Sequence, residues 1–300
     1  MAHPASTPFD RAVPSPMAVL ELLKPITWFP PMWAFACGVV SSGVALEGHW
    51  GVVGLGLLLV GPLVCATSQA VNDWFDRHVD AINEPDRPIP SGRIPGRWGL
   101  HIGIGWTALS LGLAAILGPV VLWATILGLA LAWAYSAPPI RLKQNGWWGN
   151  TAVAFSYEGL AWVTGAAVMI GGELPDAAVF VLAALYSLGA HGIMTLNDFK
   201  SVEGDRLLGI GSLPARLGVG PAARLACAAM ALPQVVVIGL LFAWGAGLHA
   251  TVVTVLLVSQ LALMPSLLRS PREKAAWYSA TGVSLYVLGM LVSAFALGSG

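Results

Sequence analysis

Charge is scarce in this sequence. Only 10% of its 300 residues are Asp, Glu, Lys or Arg, against about 25% in an ordinary soluble domain. So little charge excludes a nucleic-acid-binding module, which needs a basic face to meet phosphates. Cysteine is scarce as well: Cys37, Cys65 and Cys227 lie far apart, each inside an apolar run. That excludes a disulfide scaffold and a thiolate metal site, and the three read as small buried hydrophobes. Hydrophobic residues, in contrast, make up 56% of the chain, with a mean hydropathy of +0.74. A soluble domain of this size has too little interior to hide that much apolar surface, so the composition is that of a polytopic membrane protein. Formal net charge is zero, with 15 basic and 15 acidic residues. The distribution of charge is therefore informative where its total is not.

Apolar runs of about 20 residues, the length that crosses the hydrocarbon core, occur at 26–46, 52–71, 99–118, 120–137, 151–170, 177–196, 222–243, 250–268 and 275–297. This pattern predicts an all-α integral membrane fold of nine transmembrane helices. Residues 1–24 are polar and proline-rich and read as a tail. They do not read as a cleavable signal, because the first apolar run is long and lacks a small-residue cleavage site. Residues 25–300 then form a single transmembrane domain.

Lys and Arg fix the expected orientation. Arg11 and Lys24 precede the first span; Arg77, Arg87, Arg93 and Arg97 follow the second; Arg141 and Lys143 follow the fourth. Lys200, Arg206, Arg216 and Arg224 surround the sixth-to-seventh connection, and Arg269, Arg272 and Lys274 precede the ninth span. All 15 basic residues fall on one side of nine spans, which the positive-inside rule makes cytoplasmic, with the N-terminus inside. The opposite connections carry only Glu47, Glu173 and Asp176. Two connections of about 25 residues, long enough to be functional, follow the second and sixth spans and open on Asn72-Asp73 and Asn197-Asp198. The chain reads as a four-helix unit used twice, with a ninth helix added.

The first acidic motif is Asn72-Asp73-x-x-Asp76-x-x-x-Asp80. If the second helix continues through it, these four residues fall within an arc of about 100°. Clustered carboxylates repel one another unless a cation sits among them; the competing reading is a solvated helix end neutralised by Arg77 and Arg87. The second motif, Asn197 to Arg206, puts Asp198 and Asp205 about 20° apart on a regular helix, with Ser201 between them. Glu203 would point elsewhere, and it reads equally as a ligand or as a surface residue. Paired Asp motifs at one depth suit hard cations, and Mg²⁺ takes one or two carboxylates and completes its shell with water and substrate phosphates. Arg87, Arg141 and Lys143 are then candidates to hold the remaining phosphate charge, although cytoplasmic anchoring also accounts for them.

The motif pair resembles the intramembrane, UbiA-type prenyltransferase superfamily. The stretches Lys24 to Pro31, Asn72 to Gly92, Tyr135 to Lys143, Tyr157 to Trp162 and Asn197 to Arg206 narrow the resemblance to its chlorophyll and bacteriochlorophyll synthase branch. It implies nine helices around a central cavity, capped on the cytoplasmic side by the Asp-bearing loops, in a photosynthetic bacterial membrane. It also implies transfer of a geranylgeranyl or phytyl group from its diphosphate to the propionate of bacteriochlorophyllide or chlorophyllide. Pigment-protein assembly partners would accompany it. One departure stands out: Ser201 takes a place where many members carry a third acid.

The expected metal set is Asn72, Asp73, Asp76 and Asp80 for one Mg²⁺, and Asn197, Asp198 and Asp205 for a second. Arg87, Arg141, Lys143 and Lys200 are the expected diphosphate contacts. Lys24, Tyr135, Ser136, Phe155, Tyr157, Glu158, Trp162 and His191 are the candidates for the substrate cavity. Glu158 lies near mid-span, where an acid costs about 2.5–3.5 kcal/mol, so it is expected to face the cavity; a hydrogen bond to a neighbouring helix is the other reading. His191 could ligate a pigment magnesium or simply be packed. Gly99-x-x-x-Gly103 fits close helix packing. Two rival functions remain: prenylation of a quinone precursor or haem, and ion-coupled transport. Transport is opposed by the position of the carboxylates at span ends, not at midplane.

Overall fold

The computed structural model describes residues 13–207 and 209–298, whose secondary structure is helical apart from one isolated bridge between Asn145 and Gly211. Residues 1–12 of the expected tail, including Arg11, lie outside the described residues. Among the described residues, eight helices are long and apolar enough to cross a membrane. They are α3 (Trp50–Asn83), α4 (Trp98–Leu117), α5 (Pro119–Ser136), α6 (Gly146–Met169), α7 (Ala177–Asn197, extended by a 3₁₀ turn to Lys200), α10 (Val219–Ala243), α11 (Gly247–Arg269) and α12 (Pro271–Gly298). Where the sequence predicts a first span, the structure has α2 (Phe29–Ser41), only 13 residues long. The 3₁₀ turn that Pro25 opens takes the first two residues of the run, and the helix ends at Ser41, just before the left-handed Gly43 at φ 70°.

The segment read as a tail is helical from Pro16 to Leu23 (α1). Ser15 caps it, accepting a hydrogen bond from the Ala18 N–H at 3.3 Å, and Pro16 occupies the first helical position, where its missing N–H costs nothing. Ala18, Leu22 and Leu23 bury themselves against Ala66, Ala70, Ile94 and Ile102. Lys24 then turns left-handed, at φ 48°, which ends α1 and presents its ammonium to α3.

Close helix crossings are made by glycine. A Cβ on Gly38 of α2 would fall 1.9 Å from the carbonyl oxygen of Trp162, and one on Gly165 of α6 would fall 2.0 Å from that of Phe35. The two backbones therefore touch. Gly99 and Gly103 do similar work, facing Ile89 and Val71, as the sequence predicts. Trp162 is fully buried beside this crossing; it donates to Ser41 Oγ at 3.0 Å and stacks on Tyr186 at 5.6 Å.

Two π-helical stretches interrupt the long helices, at Leu59–Cys65 in α3 and Phe155–Leu160 in α6. Pro62 lies in the first; it has no N–H to give the helix, and its carbonyl accepts instead from Trp106 Nε1 at 3.1 Å. Such bulges often mark functional positions. Here both contribute walls to one cavity.

Candidate active site

Faces of α3, α5 and α6, with Pro31 of α2 and the end of α7, line a cavity of about 400 Å³. Its α5 wall is Ala124, Thr125, Gly128, Leu131, Ala132 and Tyr135, spaced i, i+1, i+4, i+7, i+8 and i+11, which is one helical stripe. The α3 wall runs from Val60 to Asn72 and the α6 wall from Asn150 to Thr164. At one end the lining is polar: Asn72, Tyr135, Asn150, Asn197, Asp198 and Lys200. Farther in it becomes apolar, with Val60, Val64, Ala124, Leu160 and Ala161. A polar group lies part-way along, where the Tyr157 hydroxyl meets Gln69 Nε2 at 3.1 Å, Cys65 Sγ at 3.2 Å and Ser68 Oγ at 3.3 Å.

The helix does continue through the first acidic motif, since α3 runs unbroken to Asn83. Asp73 is buried, and its Oδ1 accepts from Lys24 Nζ at 2.6 Å and from Arg87 at 3.4 Å. Arg87 also bridges to Asp80 at 2.9 Å and Glu84 at 2.5 Å. Asp76 holds Arg141 at 3.1 Å and Lys143 at 2.5 Å. Burial pushes the Lys143 ammonium below the ordinary lysine range, against the pull of Asp76. Desolvation also disfavours charge on Arg87, but Glu84, Asp73 and Asp80 outweigh it and raise its pKa. Asn72 donates to Ser136 Oγ at 3.3 Å.

The second motif is not one regular helix. α7 ends at Asn197, a 3₁₀ turn covers Asp198–Lys200, and α8 (Val202–Leu207) begins anew. The Ser201 hydroxyl lies 3.0 Å from Asp205 Oδ2 and 3.2 Å from the backbone carbonyl of Asp198, so it contacts one of the two carboxylates. Asp198 Oδ2 accepts from Asn150 at 3.0 Å. Glu203 is exposed and pairs with Arg272, away from the cavity. A further strap joins the loops: Gly146 N–H donates to the Gly211 carbonyl at 2.8 Å, and Gly211 N–H to the Gln144 carbonyl at 2.9 Å. This strap ties the loop after the second motif to the α5–α6 connection, whose Arg141 and Lys143 in turn hold Asp76 of the first motif.

Among the cavity candidates, Tyr135 and Tyr157 are in the lining. Lys24 sits outside it on Asp73, and Ser136 lies behind Asn72. Phe155 is an exposed side chain, and Trp162 belongs to the packed core. Glu158 follows Tyr157 in the π stretch but is buried outside the lining, with no hydrogen-bond partner for Oε2. His191 also lies outside it, stacked on Trp147 at 5.7 Å, with Nδ1 3.2 Å from Thr151 Oγ1. Sequence reasoning did not single out Asn150, Ser68, Gln69 and Gly128. The first three are polar side chains on apolar spans, which is a usable signal of an interior path; a glycine among apolar residues gives none.

Among the described residues no group of three or more His, Cys, Asp and Glu side chains converges, since cations draw the first-motif aspartates. A magnesium–diphosphate unit does not need three, because one or two carboxylates suffice alongside phosphate oxygens and water. The donors present are all hard oxygens, and Asp73 Oδ2 is buried without a partner. The residues therefore fit Mg²⁺.

The chain matches the UbiA prenyltransferase family over residues 23–296. It belongs to that family. The bacteriochlorophyll synthase 33 kDa chain of Cereibacter sphaeroides is 58% identical to it over 287 residues, covering 96% of this chain and 95% of that one. Chlorophyll synthase, chloroplastic, of Oryza sativa subsp. japonica is 40% identical over 290 residues, covering 92% and 76%. Among solved structures, a UbiA homolog from Archaeoglobus fulgidus bound to GPP and Mg²⁺ superposes with a TM-score of 0.69 at 20% identity, covering 91% of this chain and 99% of that one. That likeness establishes the all-helical fold, and the apolar helices and the family match make the chain an integral, multi-pass membrane protein.

Proposed function

We propose that this protein is a prenyltransferase that esterifies the propionate carboxylate of bacteriochlorophyllide or chlorophyllide with a geranylgeranyl or phytyl group taken from its diphosphate. The observation that carries this reading is the cavity itself. It carries Asn72, Asn197, Asp198 and Lys200 at the motif end, and beyond the Tyr157 group its walls are mainly apolar. That is the shape of a charged head on a hydrocarbon chain. The bacteriochlorophyll synthase relative, which spans nearly the whole chain, supplies the acceptor. Nothing observed favours a quinone precursor, haem or ion transport.

Asn72, Asp73, Asp76 and Asp80 would hold one Mg²⁺, and Asn197, Asp198 and Asp205 a second. When bound, Mg²⁺ supplies a Lewis acid that neutralises charge on the departing diphosphate. Arg87, Arg141, Lys143 and Lys200 grip the phosphates. Arg87, Arg141 and Lys143 reach the acidic motif now, so substrate binding exchanges carboxylate partners for phosphate partners. The allylic C–O bond breaks and its electron pair leaves with the diphosphate. A propionate oxygen then bonds to the same carbon. The acceptor is already ionised near neutral pH, so no protein base is required. The apolar walls exclude water, whose attack would waste the cation. The faces of Tyr135 and Tyr157 stabilise it by roughly 0.5–2 kcal/mol each. The distribution of Lys and Arg supports a motif end that faces the cytoplasm.

The test is purified protein with Mg²⁺, geranylgeranyl diphosphate and each pigment acid in turn, with ester read by mass spectrometry. Ester from a pigment acid is expected. Product from a quinone precursor, with none from either pigment acid, would overturn the reading.

A further inference from the structure

The cavity walls are helices, so depth can be counted in residues. At about 1.5 Å per residue, Gly128 lies about 10 Å, and Ala124 about 16 Å, inward from Tyr135 along α5. The α3 wall agrees, with Val60 about 18 Å from Asn72 if counted as regular helix. An isoprene unit adds four chain bonds, roughly 5 Å when extended at ordinary carbon–carbon lengths. The tube therefore takes three to four units end-on, and Gly128 stands where the second unit ends.

Gly128 is not a close-crossing glycine like Gly38 or Gly165. A Cβ there would meet only Leu160 Cδ1 at 3.6 Å and Val64 Cγ1 at 3.8 Å, ordinary contact distances. Its φ is not in the left-handed region either, so neither backbone conformation nor helix packing demands glycine. Leu160 and Val64 themselves line the cavity. A side chain at 128 would thus project between two facing walls and close the bore, leaving Ala124, Thr125 and Val60 beyond the obstruction.

We infer that Gly128 determines prenyl-chain specificity: its missing side chain keeps the inner half of the tube open to a four-isoprene donor. The inference rests on the prenyl-transfer reading above. The test offers the full-length protein an equimolar mixture of geranyl, farnesyl and geranylgeranyl diphosphates with Mg²⁺ and bacteriochlorophyllide, and reads the ester ratio by mass spectrometry. The unsubstituted protein makes mainly geranylgeranyl ester. Gly128→Leu lowers the geranylgeranyl-to-geranyl ratio by at least about tenfold, the scale of discrimination a few methylenes provide, while geranyl ester persists. Gly128→Ala shifts the ratio in the same direction by less, and it carries the test if the leucine variant does not fold. Gly112→Leu on α4, where a Cβ meets nothing within 4 Å, leaves the ratio unchanged. An unchanged ratio in the folded Gly128 variants overturns the gauge alone. If the unsubstituted protein makes no ester from any donor, the activity reading fails and takes the gauge with it.

Discussion

Asn72 and Asn197, the first residues of the two acidic motifs, line the same cavity. They come from different helices, α3 and α7, and each is followed by an aspartate. One polar end is therefore built from the start of both motifs; of the motif aspartates Asp198 itself lines the cavity, while Asp73, Asp76, Asp80 and Asp205 lie outside its lining.

Lys24 is the mainstay of buried Asp73. Lys24→Gln leaves that carboxylate only the longer contact to Arg87, so we expect a loss of about 1–3 kcal/mol, the worth of a charged hydrogen bond. Thermal unfolding in detergent measures it. Adding Asp73→Asn to Lys24→Gln should restore part of the loss, since the pair is coupled.

The Gly38–Gly165 crossing has no room for a side chain. Gly165→Ala should cost at least about 3 kcal/mol, the upper range of overpacking effects, because the obstruction is backbone. An unfolding midpoint unchanged from that of the unsubstituted protein would contradict the packing described.

Trp162 and Tyr157 should separate structure from substrate contact. Trp162→Ala removes a buried core side chain and is expected to cost about 3–5 kcal/mol of stability, with turnover per folded molecule kept. Tyr157→Phe is expected to fold normally yet to turn over more slowly, because Gln69 and Cys65 lose their partner inside the cavity. Steady-state kinetics alongside unfolding curves distinguish the two.

Glu203 pairs with Arg272 at the surface, an arrangement worth within about 1 kcal/mol. Glu203→Gln should leave Mg²⁺-dependent turnover unchanged, whereas Asp205→Asn should reduce it.

The long spans were legible because composition and length alone specify them. The first motif was legible too, since an uninterrupted helical period carries Asn72 through Asp80 on one face. α1 was hidden: its eight residues follow prolines, and its burial depends on residues Ala66, Ala70 and Ile94, remote in sequence. α2 came out shorter than its apolar run because the turn opened by Pro25 takes its first residues and the left-handed Gly43 follows the helix end at Ser41. The break after Lys200 defeated the regular-helix geometry for Asp198 and Asp205, and Ser201 reaches the Asp205 carboxylate and only the backbone carbonyl of Asp198. Trp162, Glu158 and His191 illustrate a further limit. A span has a lipid face, a packing face and a cavity face, and in a nearly uniform apolar sequence the periodicity does not say which is which.

The most direct test measures kcat/KM with saturating Mg²⁺ in Asp76→Asn and Asp198→Asn, one substitution per motif, with folding checked by thermal unfolding. Both variants should fold and insert normally yet lose at least about a hundredfold, the scale of losing a group that stabilises charge in the transition state. Near-normal turnover in either one would show that its motif does not hold the metal–diphosphate head, and would contradict a site shared by both.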